Sequence, residues 1–403
     1  MPAPGLPPEL LDAIIDELRE DKKSLLQVSL ARQVLCPRTR AHLFHFVTLS
    51  EKSCCDRLRA LITLSPKLAL HFTHLRIAFD DASSVPTATA YGALTVIESL
   101  VNVTHLFLFE GYWRHMPNTV VSSLQSHSYH TLAIYEWFMF RSIGDICSLM
   151  QNSPNLQKAR FDCSNMSFTS VQECNFNHHL RRTPAPAAVN INYSSSYSDS
   201  AGAILTLSLS SNPCLFSCRK IHTLKTVLPN TNTGVTQDLS RYLALSGTSL
   251  KHLHVSHDLS EFENAPSIRL NVSNLELLGV TIFEIGLIPR CRTSQIFEWW
   301  ITNLSAVNEH CAIRSIAFTI ISCDLNCPKG HPALDWEDLW TKLDGCLSSR
   351  KMALLEHVAI TFKPRPVKWD TFKTRMEGKF LGLRQLGCEV ALDAVDSPWN
   401  PAS

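Results

Sequence analysis

The chain has 403 residues, of which 45% are apolar, enough to fill a sizeable core and too many for a disordered segment. Its 37 Lys and Arg balance 36 Asp and Glu to a formal charge of +1, which leaves no broad electrostatic footprint for nucleic acid or an anionic membrane. The 14 cysteines are spaced irregularly along a long chain, so they read as reduced, buried thiols rather than a secreted disulfide scaffold.

The opening Met1-Pro2-Ala3-Pro4-Gly5 lacks the basic and apolar regions of an export signal, and no later apolar run reaches the length of a membrane helix. The expectation is a soluble chain of the cytoplasm, the nucleus or both. Residues 6–18, Leu-Pro-Pro-Glu-Leu-Leu-Asp-Ala-Ile-Ile-Asp-Glu-Leu, predict a helix. Pro7 and Pro8 suit its first turn, where their missing N–H groups have no partner to lose, and Glu9 and Asp12 sit near the positive end of the dipole. Leu10, Leu11, Ile14, Ile15 and Leu18 draw one apolar stripe on a helix too short to stand alone. A second helix is expected from Ser24, as its cap, through Leu25, Leu26, Val28, Leu30 and Val34, with Pro37 just past its end. Residues 39–49 begin helical and turn strand-like through Phe46, Val47 and Leu49.

This segment resembles the F-box, in particular the F-box-like domains common in fungal protein families. Leu6, Pro7, Glu9, Leu10, Ile14, Ile15 and Leu18 match the first half of its signature, and Ser29, Leu30, Leu35 and Pro37 match the second. Ala31-Arg32-Gln33 stand where the family has Val-Cys-Arg, and Leu35 holds a usually aromatic position. The resemblance implies that Leu6, Pro7, Leu10, Ile14, Ile15, Leu25, Leu26 and Leu30 contact a Skp-family adaptor or directly support those contacts. Through the adaptor the chain would join a cullin-RING ubiquitin ligase. The same stripe would equally form the core of a plain three-helix cap with no partner, since any small helical bundle needs one.

Beyond it, apolar residues recur at positions one, four and six: Phe72/Leu75/Ile77, Val103/Leu106/Leu108, Tyr129/Leu132/Ile134, Leu156/Ala159/Phe161, Leu250/Leu253/Val255, Leu275/Leu278/Val280, Ile313/Ile316/Phe318, Leu355/Val358/Ile360 and Leu383/Leu386/Cys388. These resemble the Leu-x-x-Leu-x-Leu strand of leucine-rich repeats, with weaker copies at Val189/Ile191 and Ile221/Leu224. Helical spacing separates several of them. Trp336, Leu339, Trp340, Leu343, Cys346 and Leu347 share one face of 335–347, and Ile296, Trp299, Trp300, Leu304 and Val307 share one of 295–307. Residues 89–100 and 143–150 are fainter versions, and 184–200 and 229–236 read as irregular. The expected fold class is therefore α/β: a short all-α N-terminal F-box of three helices over 1–49, an irregular leucine-rich-repeat-like α/β solenoid over 50–395, and an extended tail over 396–403.

Chemistry-bearing motifs are sparse. Cys323, Cys327 and His331, with Cys311 upstream, are of zinc-ligand type but lack the paired spacing of a finger. Cys214 and Cys218 have no second pair nearby, and His178-His179 beside Arg181-Arg182 read as a solvated loop. No nucleophile elbow, phosphate-cradling Gly-rich loop or His-Glu-x-x-His occurs in the sequence. The expectation is no catalytic residue, no metal and no cofactor. Among the tryptophans, Trp113 is singled out as a target-binding residue, because it follows a strand motif where loops rim the strand face. The expected function is a substrate receptor that docks on the adaptor through its first helices and holds an unknown protein target. The alternative is an interaction scaffold with no ubiquitin role.

Overall fold

The structure, a computed structural model, describes residues 7–31, 33–79, 91–141, 143–162, 185–192, 220–228, 233–247, 249–259, 266, 268–284, 292–309, 311–322, 337–366 and 368–396. The chain divides into two compact units, Met1–Lys158 with Ser167–Pro184, and Ala159–Met166 with Ala185–Ser403.

The first unit opens with helices α1 (Pro8–Glu17), α2 (Lys22–Ala31) and α3 (Cys36–Leu43). There follow β1 (Phe46–Leu49), α4 (Lys52–Leu64), β2 (His74–Ala78), β3 (His105–Tyr112), α5 (Asn118–Ser126), β4 (Thr131–Met139) and α6 (Ile143–Gln151). Strand β5 (Lys158–Asp162) falls at the division. The second unit carries β6 (Ala188–Asn192), β7 (Thr223–Leu228), α7 (Thr233–Ser246), β8 (His252–Asp258), β9 (Leu277–Glu284) and α8 (Arg292–Ser305). It ends with β10 (Ser315–Ser322), α9 (Glu337–Leu347), β11 (His357–Lys363), α10 (Trp369–Glu377), α11 (Leu381–Gln385) and β12 (Glu389–Ala394).

Strands β1 to β4 in the first unit, and β6 to β12 in the second, pair in chain order and in parallel. Parallel neighbours cannot be joined by a hairpin, so the chain crosses back between each pair, and helices make most of the crossings described. The apolar motif coincides with β2, β3, β4, β5, β8, β9, β10 and β11, and its weaker copies with β6 and β7. Position-four residues stand in register as Leu75, Leu106 and Leu132 in the first unit, and as Leu224, Leu253, Leu278, Ile316 and Val358 in the second, all fully buried.

The backbone repeats with the side chains. The N–H groups of Thr73 and His74 donate to the His45 carbonyl at 3.0 and 2.8 Å, and those of Thr104 and His105 to Thr73 at 2.9 and 3.0 Å. In the second unit Lys251 and His252 donate to His222 at 2.9 and 2.8 Å, and Glu356 and His357 to Arg314 at 2.8 and 3.1 Å. One carbonyl per repeat thus fixes the entry of the next strand. A slip by one residue would turn every motif side chain to the opposite face, losing roughly 1.5–3 kcal/mol for each large aliphatic one. The strand expected through Phe46, Val47 and Leu49 is β1, and the same geometry makes it one more repeat, Phe44/Val47/Leu49, inside the expected N-terminal module.

Helices cover the motif face. Phe297 of α8 lies 5.1 Å from Phe318 of β10 and 4.6 Å from Trp340 of α9, ring centre to ring centre; Trp340 is buried as the helical spacing predicts, and Phe297, which that spacing does not include, is buried with it. The fainter signal at 89–100 forms a 3₁₀ helix, Ala93–Ser99, while 143–150 is α6. Strand β6 lies within the expected irregular stretch 184–200, and α7 begins inside 229–236. Of the expected tail, Asp396 alone is described.

The last expected strand, Leu383/Leu386/Cys388, is corrected by the structure. Leu383 lies in α11, which ends in a helix-terminating turn: Gly387 at φ 81° donates to the Arg384 carbonyl at 3.0 Å and Cys388 donates to Leu383 at 3.0 Å. Leucines three apart serve a helix as readily as this strand motif, and the strand follows at β12, with Leu392 in register with Ile360. The start of α11 is held by Asp344 of α9, whose carboxylate accepts from the N–H groups of Gly382 at 2.9 Å and Leu383 at 3.0 Å. Asp344→Ala is expected to lower stability by about 1 kcal/mol, the typical worth of such a cap, read as an earlier urea midpoint. An unchanged midpoint would show that the cap contributes nothing.

Candidate docking site

Helix α1 starts where the prolines place it, with Pro7 at its cap and Pro8 in its first turn. Helix α2 starts earlier than expected, and its cap is Asp21 rather than Ser24. The Asp21 carboxylate accepts from the N–H groups of Lys23 and Ser24, each at 3.1 Å, and the Ser24 hydroxyl donates back to it at 2.6 Å. These bonds hold the Asp21 carboxyl below its ordinary range. After α2 a 3₁₀ turn, Gln33–Leu35, carries Val34, and Pro37 enters the first turn of α3 instead of trailing α2.

Asp16 ties α1 to α3. Its carboxylate accepts from Arg38 Nε at 2.6 Å and Nη2 at 2.5 Å and pairs with His42 Nε2 at 2.7 Å. The Arg38 guanidinium, then His42, holds its pKa at about 2. The buried apolar residues of the three helices are Ile15 of α1 and Leu25 of α2, with the Thr39 hydroxyl donating to the Leu35 carbonyl at 2.9 Å.

The stripe expected from the sequence is therefore divided. Ile15 and Leu25 face inward as supports, whereas Leu10 (52% exposed), Ile14 (52%), Leu26 (53%) and Leu30 (87%) face outward, joined by Val34 (64%). Pro7 is also exposed, and Leu6 lies outside the described residues. Leu10 with Ile14, and Leu26 with Leu30, are four residues apart, so each helix presents its pair on one face. Sequence spacing cannot decide which of Ile14 and Ile15 faces inward, because adjacent residues on a broad stripe satisfy the same period.

Trp113 is corrected as a target-binding residue. It is fully buried at the start of the 3₁₀ turn Trp113–His115, 5.0 Å from the Phe140 ring and 6.3 Å from Phe138, and its indole N–H has no hydrogen-bond partner. The crowded wall of a core, rather than a rim, is where the strand motif delivers it.

The sequence reading also missed the opposite face of β1 to β4. His74 and His105 stack at 3.9 Å, Phe109 and Tyr135 at 3.7 Å, and the Arg76 guanidinium lies 3.7 Å above Phe109. Positions three, five and seven of the motif carry that signal, since they alternate with the buried positions four and six.

Among the described residues no group of three His, Cys, Asp or Glu is placed to hold a metal ion, and no helix is long and apolar enough to cross a membrane. Cys323, Cys327 and His331, like Cys214, Cys218, His178, His179, Arg181 and Arg182, lie outside the described residues. Cys311 is buried, which pushes its thiol above its ordinary pKa.

No protein-family model matches the chain, and no curated protein matches it. Among solved structures the chain is similar to the crystal structure of a leucine-rich repeat-containing protein from Legionella pneumophila, at 13% identity and a TM-score of 0.33, over 88% of this chain and 86% of that one. The α/β character of the fold rests on the register and burial of the chain's own strands.

Proposed function

We propose that this chain is the substrate-receptor subunit of a Skp-cullin-F-box type ubiquitin ligase. Its first helices dock on a Skp-family adaptor, its strand ladders hold a protein target, and a partner subunit carries out ubiquitin transfer. No residue of the chain is catalytic, and it acts without a cofactor in the cytoplasm, the nucleus or both. One observation carries the reading: the outward pairs Leu10/Ile14 and Leu26/Leu30 are left open on helices whose inward positions are already filled by Ile15 and Leu25. A plain cap would bury such residues, whereas open aliphatic faces on a soluble module mark docking sites. Each anchor fully buried by a partner contributes roughly 1.5–3 kcal/mol.

The second reading, an interaction scaffold with no ubiquitin role, draws on the departure at Ala31-Arg32-Gln33. Co-purification separates the two. The native chain is expected to retain a Skp-family adaptor through gel filtration, and Leu10→Glu or Ile14→Glu is expected to abolish retention without changing helical content. A native chain that elutes without adaptor favours the scaffold.

A further inference from the structure

The outward faces of the two ladders differ in chemistry. In the second unit the rows are small and hydroxyl-bearing over β9 to β12, where Gly279, Ala317, Ala359 and Ala391 stand in register, as do Thr281, Thr319 and Thr361, while His254 and Lys225 continue the first row on β8 and β7. In the first unit they are aromatic. Phe46, 40% exposed, lies 6.2 Å from His74 and 6.3 Å from Phe107, continuing the stacked His74–His105 and Phe109–Tyr135 pairs.

The charge at the centre of this face is that of Arg76. Arg76 makes no ion pair among the described residues, and its Nε is buried without a hydrogen-bond partner. Lys158 stands exposed at the edge, where its N–H donates to His130. Burial, then the neighbouring His105, holds the His74 pKa down to about 4, and burial lowers that of His105, so the histidine pair is neutral at pH 7. These strands carry two acids: Glu110 of β3 lies past the irregularity that follows Leu108, and Glu136 follows Tyr135 on β4.

We infer that the outward face of β1 to β4 binds an extended acidic segment of the target, Arg76 receiving a carboxylate and Phe46, Phe107 and Tyr135 receiving the apolar side chains between. This deepens the target-holding role proposed above and rests on it. A bare guanidinium in an apolar surround favours a carboxylate it can meet with paired N–H groups. A nucleic acid fits less well, because stacking needs open ring faces. Two of the ring pairs here are closed to it: Phe109 lies between Arg76 and Tyr135, and His74 lies against His105.

The test is fluorescence anisotropy with the full chain and no adaptor, using labelled peptides of about a dozen residues that alternate Leu with Glu, Gln or Lys. The Glu peptide is expected to bind about tenfold more tightly than the Gln peptide, and the Lys peptide not at all. Arg76→Gln is expected to weaken the Glu peptide about tenfold, added salt to weaken it further, and Thr319→Gln on the second ladder to leave it unchanged. If Arg76→Gln fails to fold, the exposed Lys158→Gln and the salt series carry the same test. Equal binding of Glu and Gln peptides, or preference for a single-stranded RNA oligonucleotide over the Glu peptide, overturns the inference. With adaptor absent, that failure leaves the docking of α1 and α2 untouched, and loss of adaptor capture leaves peptide binding untouched.

Discussion

Trp113→Ala is expected to destabilise the first unit by about 3–5 kcal/mol, the cost typical of deleting a buried indole. The ring has no exposed surface, and Phe138 and Phe140 stand against it at 6.3 and 5.0 Å. Urea denaturation followed by circular dichroism gives the measurement. A variant with an unchanged midpoint but weakened target binding would return Trp113 to the recognition role that its sequence position first indicated. Trp113→Phe, which keeps most of the apolar contact and removes the unpartnered N–H, is expected to cost much less.

Acid should destabilise the second unit through His257. This side chain is fully buried, accepts a hydrogen bond from Trp300 Nε1 at 2.9 Å, and lies 5.7 Å from the Trp299 ring. Burial alone holds its pKa down to about 3, against an ordinary 6.5. The unfolded chain therefore takes up a proton as pH falls through 6.5, while the folded chain refuses it until about pH 3. Stability is full above pH 6.5 and declines below it by about 1.4 kcal/mol per pH unit, to a total on the order of 5 kcal/mol. His257→Gln, which retains an acceptor for Trp300, is expected to flatten the decline in denaturation midpoint between pH 6.5 and 4. Parallel slopes for the two proteins would assign the acid sensitivity elsewhere.

The strands were more legible in the sequence than the surfaces. Positions one, four and six mark the interior of each repeat, and burial forces aliphatic side chains there, so Leu75, Leu106, Leu253 and Ile316 announce their strands. The motif fails at Leu383/Leu386, where leucines three apart also fit a helix, and only Gly387, with its left-handed backbone, tells the two apart. It also misses Phe44/Val47/Leu49, because a helix-like run precedes it without a break. At the docking site the sequence supplies the stripe but not its division, since Leu10, Ile14 and Ile15 all satisfy the helical period. Which of them faces inward depends on where α3 sits, and that is set by the Asp16 bonds to Arg38 and His42 across more than twenty residues of chain. The face built from Arg76, Phe109 and Tyr135 joins three strands, and no single stretch of sequence displays it.

Isothermal titration of the purified chain with a purified Skp-family adaptor bears most directly on whether the open pairs of α1 and α2 are a docking site. One-to-one binding at micromolar affinity or tighter is expected, weakened by about a hundredfold or more in Leu30→Glu, a substitution at a position 87% exposed that leaves the fold intact. A native chain that gives no binding heat and no co-elution, or a Leu30→Glu chain that binds as tightly as the native one, would contradict it.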